Sequence, residues 1–352
     1  MSFRELLFKD SFWMREGGLP ILLSTRVRLA RNLAEQPFPH AMNEEEAAKV
    51  EKMILDALGN FTLEGERILY LPLTQLSPVE KRVLIEKHLI SPAFAEFNLA
   101  KGAAVSDSHK VSVMINEEDH LRIQVLLPGS RLREAFHLAD VIDDHLEGSL
   151  DLAYKDKFGY LTSCPTNVGT GLRVSVMVHL PALVVTNQVQ QVLGALAPLG
   201  LAVRGLYGEG SRAFGNIFQI SNQVTLGKSE EDTLTHMEAV TQQLVEHEMQ
   251  AREVLKREAP LIIEDKVWRA RGILENARLL TSEETFSFLS EDRLGIDMGI
   301  LPDINSGFVS LLINSLHGSL QYKANRPLDG HFVNLERANF LRKVYSPSNM
   351  IN

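Results

Sequence analysis

The sequence predicts an α+β fold, with an antiparallel or mixed sheet flanked by helices and followed by an all-helical tail. Three observations point there. Strand-like and helix-like segments alternate without a regular βαβ period. Two β-rich runs, Lys110–Ile115 and Leu121–Leu127, are separated only by Asn-Glu-Glu-Asp-His, the pattern of a hairpin. Beyond Pro260 the β signal almost vanishes. The boundary between the two parts is therefore expected near Ala259-Pro260, giving segments 1–258 and 259–352.

The elements follow in order. Asn43-x-x-Glu46 is a capping-box pattern that opens a helix through about Leu58, with Val50, Ile54 and Leu58 on one face. Arg67–Leu71 reads as a short strand. Ser77-Pro78 starts a helix running to about His88, because proline at the first helical position loses no hydrogen bond. After the hairpin, Ser130–His145 reads as helix and Leu172–Leu180 as a long strand. A helix is expected over Gln188–Ala197, then strands over Leu201–Gly205 and Asn216–Ser221. Ser229-Glu-Glu-Asp232 caps a long helix ending near Glu258. The tail carries helical patterns over 263–280, 282–290 and 306–316.

Composition narrows the function classes. A chain of 352 residues suggests about two domains. Its net charge of −9 argues against a nucleic-acid groove, which needs a basic stripe to displace counterions. The single cysteine, Cys164, excludes an internal disulfide framework and any multi-cysteine zinc site. The start, MSFRELLFKD, lacks a signal-peptide pattern, and the longest nearly apolar stretch, Val192–Val203, is too short to span a bilayer. A cytoplasmic protein that binds neither membrane nor nucleic acid is expected. The charge is uneven, however. No carboxylate falls between Asp156 and Glu209, a gap that holds Arg173 and Arg204; Leu19–Ala34 carries Arg26, Arg28 and Arg31 without an acid. Such segments suit either buried strands or a reserved anion site.

Two apparent nucleotide motifs fail on inspection. Gly227-Lys228-Ser229 lacks the earlier glycine of a phosphate-binding loop, since position 222 is Asn. Gly208-x-Gly210-x-x-Ala213 precedes a strand instead of a helix. The eleven histidines show no metalloprotease spacing, and no metal site is expected.

Three other blocks are more specific. Ser24-Thr-Arg26-Val-Arg28 sets two arginines on one face of an extended segment, where planar guanidinium groups suit phosphate oxygens. Asn116-Glu117-Glu118-Asp119-His120-Leu121-Arg122 concentrates acids at a hairpin tip. Ser163-Cys164-Pro-Thr-Asn-Val-Gly-Thr-Gly-Leu-Arg173 places the only cysteine before a glycine-rich turn entering a strand. In this order the blocks resemble the phosphagen (guanidino) kinase family. Arg204-Gly-Leu-Tyr-Gly-Glu209-Gly-Ser and Gly215–Glu231 are similar to its bacterial protein-arginine-kinase branch.

That resemblance implies a phosphagen-kinase-like catalytic domain over 1–258 and a helical regulatory and dimerisation domain over 259–352. It implies transfer of the γ-phosphoryl of Mg-ATP to arginine side chains of proteins, in protein quality control or stress response. Arg26, Arg28, Arg122, Arg173 and Arg204 match positions that grip the nucleotide phosphates. Glu118 matches the base that takes the guanidinium proton, with Glu117 and Asp119 as near alternatives. Cys164 matches a reactive thiolate beside the acceptor, and Glu209 a second carboxylate on it. The implied partners are a zinc-binding activator protein and Clp protease components, and the implied assembly is a homodimer. Two alternatives remain: a kinase of a free guanidino compound and a non-catalytic nucleotide-binding adaptor. Two departures from the family pattern stand out. Arg212 replaces an acid after Glu209, and Val333-Asn334-x-x-Arg337-Ala338 keeps only the end of the phosphoarginine-binding Arg-Asp-x-x-Arg-Ala, so weak or absent feedback is expected.

Overall fold

A computed structural model describes residues 3–96, 99–205 and 214–346. Its strands are β1 (Leu22–Arg31), β2 (Thr62–Leu63), β3 (Glu66–Pro72), β4 (Gly102–Ser106), β5 (Val111–Ile115), β6 (Leu121–Pro128), β7 (Tyr154–Lys155), β8 (Gly159–Tyr160), β9 (Leu172–His179), β10 (Leu201–Arg204) and β11 (Ile217–Asn222). From Glu230 onward the described residues form only helices. The α+β plan with a helical tail is thus the observed architecture.

The chain divides into two units, one of Met1–Trp13, Ser24–Ser175 and Ser221–Glu238, the other of Met14–Leu23, Val176–Ile220 and Ala239–Asn352. The first contains β2 to β6, nearly all of β1 and the first half of β9, in the strand order β9-β1-β6-β5-β4-β3-β2. The pairings β1–β6, β6–β5, β5–β4, β4–β3 and β3–β2 are all antiparallel. Every residue of β4 and β5 is buried. The helix Leu132–Glu147 packs on β6, and the helix Glu44–Leu58 packs on that helix. The predicted capping box is present: the Asn43 side chain accepts from the Glu46 N–H, and the Glu46 carboxylate accepts from the Asn43 N–H. Val50, Ile54 and Leu58 are buried as their spacing requires. Ser77 and Glu80 form a second box around the helix Pro78–Glu86.

The second unit contains β10, most of β11 and the second half of β9, in the strand order β10-β11-β9, and most of the helical tail. The expected helix over Gln188–Ala197 is shorter, Val189–Gly194, with a 3-10 turn at Ala197–Leu199 that accommodates Pro198. The tail holds helices Pro260–Asn276, Ser282–Asp297, Phe308–Asn314, His317–Ala324 and Gly330–Val344. The last was not anticipated, although Asp329 caps it by accepting from the Phe332 N–H at 3.1 Å. No described helix is long and apolar enough to cross a membrane.

Candidate functional site

Strand alternation builds the site. In β1, Arg26 and Arg28 project to one face, and register places Arg28 opposite Gln124 and Ala30 opposite Arg122 of β6. Arg122 therefore shares the face of Arg28. On the other side of β1, the Ala30 N–H donates to Gly171 O at 3.1 Å, bringing the start of β9 alongside. Arg173, the second residue of β9, donates to Ser221 Oγ at 3.4 Å. The electrostatic result is legible in Arg28. Burial first, then repulsion from Arg26, Arg122 and Arg173, pushes its guanidinium pKa well below the ordinary value, with only Glu117 opposing. Its Nε is buried without a hydrogen-bond partner. Four like charges brought together on a folded scaffold are unfavourable alone and favourable around a polyanion.

Arg31, three residues on, points the other way. It is buried, donates to Asp143 Oδ2 at 2.6 Å and to Thr170 O at 2.9 Å, and stacks 3.5 Å over Tyr160. It fixes the glycine-rich turn. Gly171 (φ +64°) is required there because a Cβ would fall 2.6 Å from Ala30 O.

The hairpin tip joins carboxylates to this arginine cluster. Arg122 donates from Nη1 to Glu117 Oε1 at 2.8 Å and from Nη2 to Glu118 Oε2 at 3.0 Å. Glu117, whose side chain is 6% exposed, also accepts from Ser91 Oγ at 2.6 Å. Glu118 is the accessible one, at 44%. Burial raises its pKa despite the pull of Arg122, and Asp119 and Glu117 add to the rise. Asp119 is fully buried, and its Oδ1 accepts from Asn32 Nδ2 and from the Ser163 N–H, each at 2.7 Å. That bond ties the hairpin tip to the residue preceding Cys164. Cys164 is half-buried, and its Sγ lies 3.0 Å from Thr166 Oγ1. Its carbonyl accepts from Thr162 Oγ1 at 2.8 Å.

A cavity of about 690 Å³ opens against this group. Glu117, Glu118, Arg122 and Ser163 line it together with Pro92, Phe94 and Leu99. The Ser163 hydroxyl is buried without a hydrogen-bond partner. Chemically, one wall offers carboxylates for a cation, and the β1–β6–β9 face offers guanidinium groups for an anion. Arg122 belongs to both. Eight of the ten site residues expected from sequence thus lie in the first unit. Arg204 lies half-buried at the end of β10 in the second unit. Glu209 and Arg212 lie outside the described residues. Sequence reading missed Asn32, Ser91 and Lys101; of these only Asn32, directly after the arginine strand, had a positional signal. Among the described residues no group of three or more His, Cys, Asp or Glu side chains could hold a metal ion.

Comparison with known proteins agrees with this geometry. Residues 49–251 match the model of the ATP:guanido phosphotransferase C-terminal catalytic domain, and residues 260–350 that of the protein-arginine kinase McsB C-terminal domain. The chain is 46% identical over 344 residues to the protein-arginine kinase of Moorella thermoacetica, covering 96% of this chain and 98% of that one. It is 45% identical over 337 residues to that of Bacillus subtilis, covering 95% and 93%. Among solved structures, the duplicated taurocyamine kinase of Schistosoma mansoni aligns with a TM-score of 0.60 at 29% identity, over 65% of this chain and 33% of that one. Lombricine kinase aligns with a TM-score of 0.59 at 27% identity, over 69% of each chain. An antiparallel phosphagen-kinase sheet, a matching catalytic domain and full-length relatives at this identity place the chain in the ATP:guanido phosphotransferase family, within its protein-arginine kinase branch.

Proposed function

We propose that this chain transfers the γ-phosphoryl group of Mg-ATP to the guanidinium of arginine side chains in proteins. The observation that carries the reading is Arg122, which bridges a cluster of guanidinium groups to the Glu117–Glu118 carboxylate pair. Phosphoryl transfer needs an anion site and an acceptor site held in line, with little covalent chemistry from the protein.

Arg26, Arg28, Arg122 and Arg173 hold the phosphate tail, and Arg204 belongs to the same reading. The buried, unbonded Nε of Arg28 fits a ligand rich in acceptor oxygens. Mg²⁺ prefers hard oxygen donors such as phosphates and, bound there, supplies further neutralisation of charge. Glu118 binds the acceptor guanidinium and takes its proton as nitrogen attacks phosphorus; a guanidinium is otherwise too firmly protonated to act as a nucleophile. Glu117, fixed by Ser91 and Arg122, orients the acceptor. Asp119 has no accessible oxygen and serves as a positioning residue for Ser163 and Cys164. Cys164 lies beside the acceptor and assists the transfer as thiolate. Glu209 supplies a second carboxylate, with Arg212 shifting the clamping onto it.

The same reading assigns residues 1–258 to catalysis and 259–352 to regulation and homodimerisation. It places the protein in the cytoplasm with a zinc-binding activator and Clp protease components as partners. The test is incubation with ATP and an unfolded protein or free arginine, followed by mass spectrometry under non-acidic conditions. Acid-labile phosphate on protein arginine is expected; phosphate on free arginine alone would replace this reading with a small-molecule kinase, and none on either would remove catalysis.

A further inference from the structure

Asn32, the residue that follows β1, joins three chain segments through one side chain, and it is only 1% exposed. Its Oδ1 accepts from the His120 N–H at 2.9 Å, and its Nδ2 donates to Asp119 Oδ1 at 2.7 Å and to Leu161 O at 3.0 Å. Its carbonyl accepts from the Ala153 N–H at 2.7 Å. The bonds to His120 and Asp119 reach the hairpin tip that carries Glu118. The bond to Leu161 reaches the segment that leads to Cys164. Asp119 Oδ1 also accepts from the Ser163 N–H at 2.7 Å, so Asn32 holds that segment twice, directly at Leu161 and through Asp119 at Ser163. Arg31 holds the far end of the same stretch by donating to Thr170 O at 2.9 Å. Two consecutive residues thus fasten both ends of the stretch bearing Cys164 to the strand that carries Arg26 and Arg28.

An amide of this length suits the place and other side chains do not. An aspartate would set a carboxylate oxygen against Asp119 Oδ1 across the 2.7 Å now spanned by a hydrogen bond. A serine has one hydroxyl hydrogen and cannot donate to Asp119 and Leu161 together. A leucine would take from the His120 N–H and the Leu161 carbonyl the side-chain partner each has in a buried place. A glutamine adds a methylene to a packed site. The amide stands behind the reacting groups: Asp119 and His120 directly follow Glu118, and Leu161 lies three residues before Cys164. Transfer depends on such placement, since a shift of about 1 Å can slow a reaction on the order of 10²-fold.

We propose, on the basis of the arginine-kinase reading above, that Asn32 is a positioning residue for phosphoryl transfer. Its amide sets where Glu118 and Cys164 stand relative to the arginines of β1. It therefore governs turnover, while ATP affinity rests on arginines whose strand pairing with β6 does not involve this side chain.

The experiment compares wild type, Asn32→Ala and the equal-sized Asn32→Asp, with ATP and an unfolded protein as acceptor, well below each melting transition. For Asn32→Ala, kcat should fall on the order of 10²-fold. ATP affinity, measured by calorimetry, should stay within about threefold of wild type. A residue serving stability alone would lower the melting temperature and leave kcat of the folded enzyme unchanged. Asn32→Asp adds a pH readout. Two carboxyl groups this close share a proton at acid pH, so one still donates to the other; at higher pH both ionise and repel. The kcat of this variant relative to wild type should therefore fall as pH rises. Wild-type kcat in both variants across the pH range overturns the proposal, as does a loss confined to ATP affinity. Hydrogen exchange on the wild type adds a test that needs no variant to fold: the His120 and Ser163 amides should be protected, and exchange at the rate of exposed amides overturns the proposal. Absence of arginine phosphorylation by the wild type instead defeats the kinase reading, and this inference with it.

Discussion

The Arg122 guanidinium holds the Glu118 carboxylate at 3.0 Å, so the residue that completes the cationic cluster also tethers the proposed base. The base must be ionised to accept a proton, and burial raises its pKa above the ordinary glutamate range. Activity should therefore rise with pH through that raised value, placing the acid limb of the kcat/KM profile above where an exposed glutamate would put it. Glu118→Gln should cost roughly 10²–10⁴-fold in rate, the usual contribution of a positioned base. Nucleotide affinity, measured by calorimetry, should survive the change. A variant with full activity would remove Glu118 from the role.

Asp119 separates positioning from proton transfer. Its Oδ1 receives both hydrogen bonds, while Oδ2 is buried without a partner. Asp119→Asn can keep both bonds through its carbonyl oxygen and place its amide where Oδ2 stands. Activity should then stay within about tenfold of wild type, whereas loss of a general base costs far more. Asp119→Ala leaves the Ser163 N–H without its acceptor and should lower stability by about 1–3 kcal/mol, read from chemical denaturation. If Asp119→Asn is as inactive as Glu118→Gln, the proton assignment moves to Asp119.

Arg28 should show opposite effects on stability and binding. Its cation is disfavoured by burial and by three neighbouring guanidinium groups. Arg28→Met removes that repulsion, so the melting temperature without nucleotide should not fall. The same substitution should weaken ATP binding by roughly tenfold or more, as expected for a lost charge-assisted contact. Stabilisation by added ATP should shrink accordingly. A drop in intrinsic stability with unchanged ATP affinity would show that Arg28 is structural.

Much of this was readable from sequence because local rules govern it. Asn43 and Ser77 announce their helices by capping chemistry that needs no tertiary context. Arg26 and Arg28 share a face because strand alternation requires it. Other features arise only from the assembled fold. Gly102–Ser106 gives no period-two signal because all five of its residues are buried. The distinction among Glu117, Glu118 and Asp119 is invisible in three consecutive acids. It comes from the hairpin turning Asp119 inward to Asn32 and Ser163 while leaving Glu118 accessible.

Arg337 is already occupied. Its Nε donates to Ser315 O at 2.8 Å, and its Nη1 donates to Leu280 O and to Asn334 Oδ1, each at 2.7 Å. The residue is 2% exposed, and Val333 beside Asn334 is buried as well. A phosphoarginine bound here would have to compete with these backbone carbonyls for the Arg337 guanidinium. Removing Arg337 from them would leave buried acceptors unpaired, at a cost of about 1–3 kcal/mol each. Added free phosphoarginine should therefore change neither the phosphorylation rate nor the mass measured by light scattering. Arg337→Ala should instead act as a structural lesion, destabilising the helical tail by about 2–4 kcal/mol in denaturation experiments. Clear activation by phosphoarginine, lost in Arg337→Ala at unchanged stability, would show that this guanidinium is released for a ligand after all.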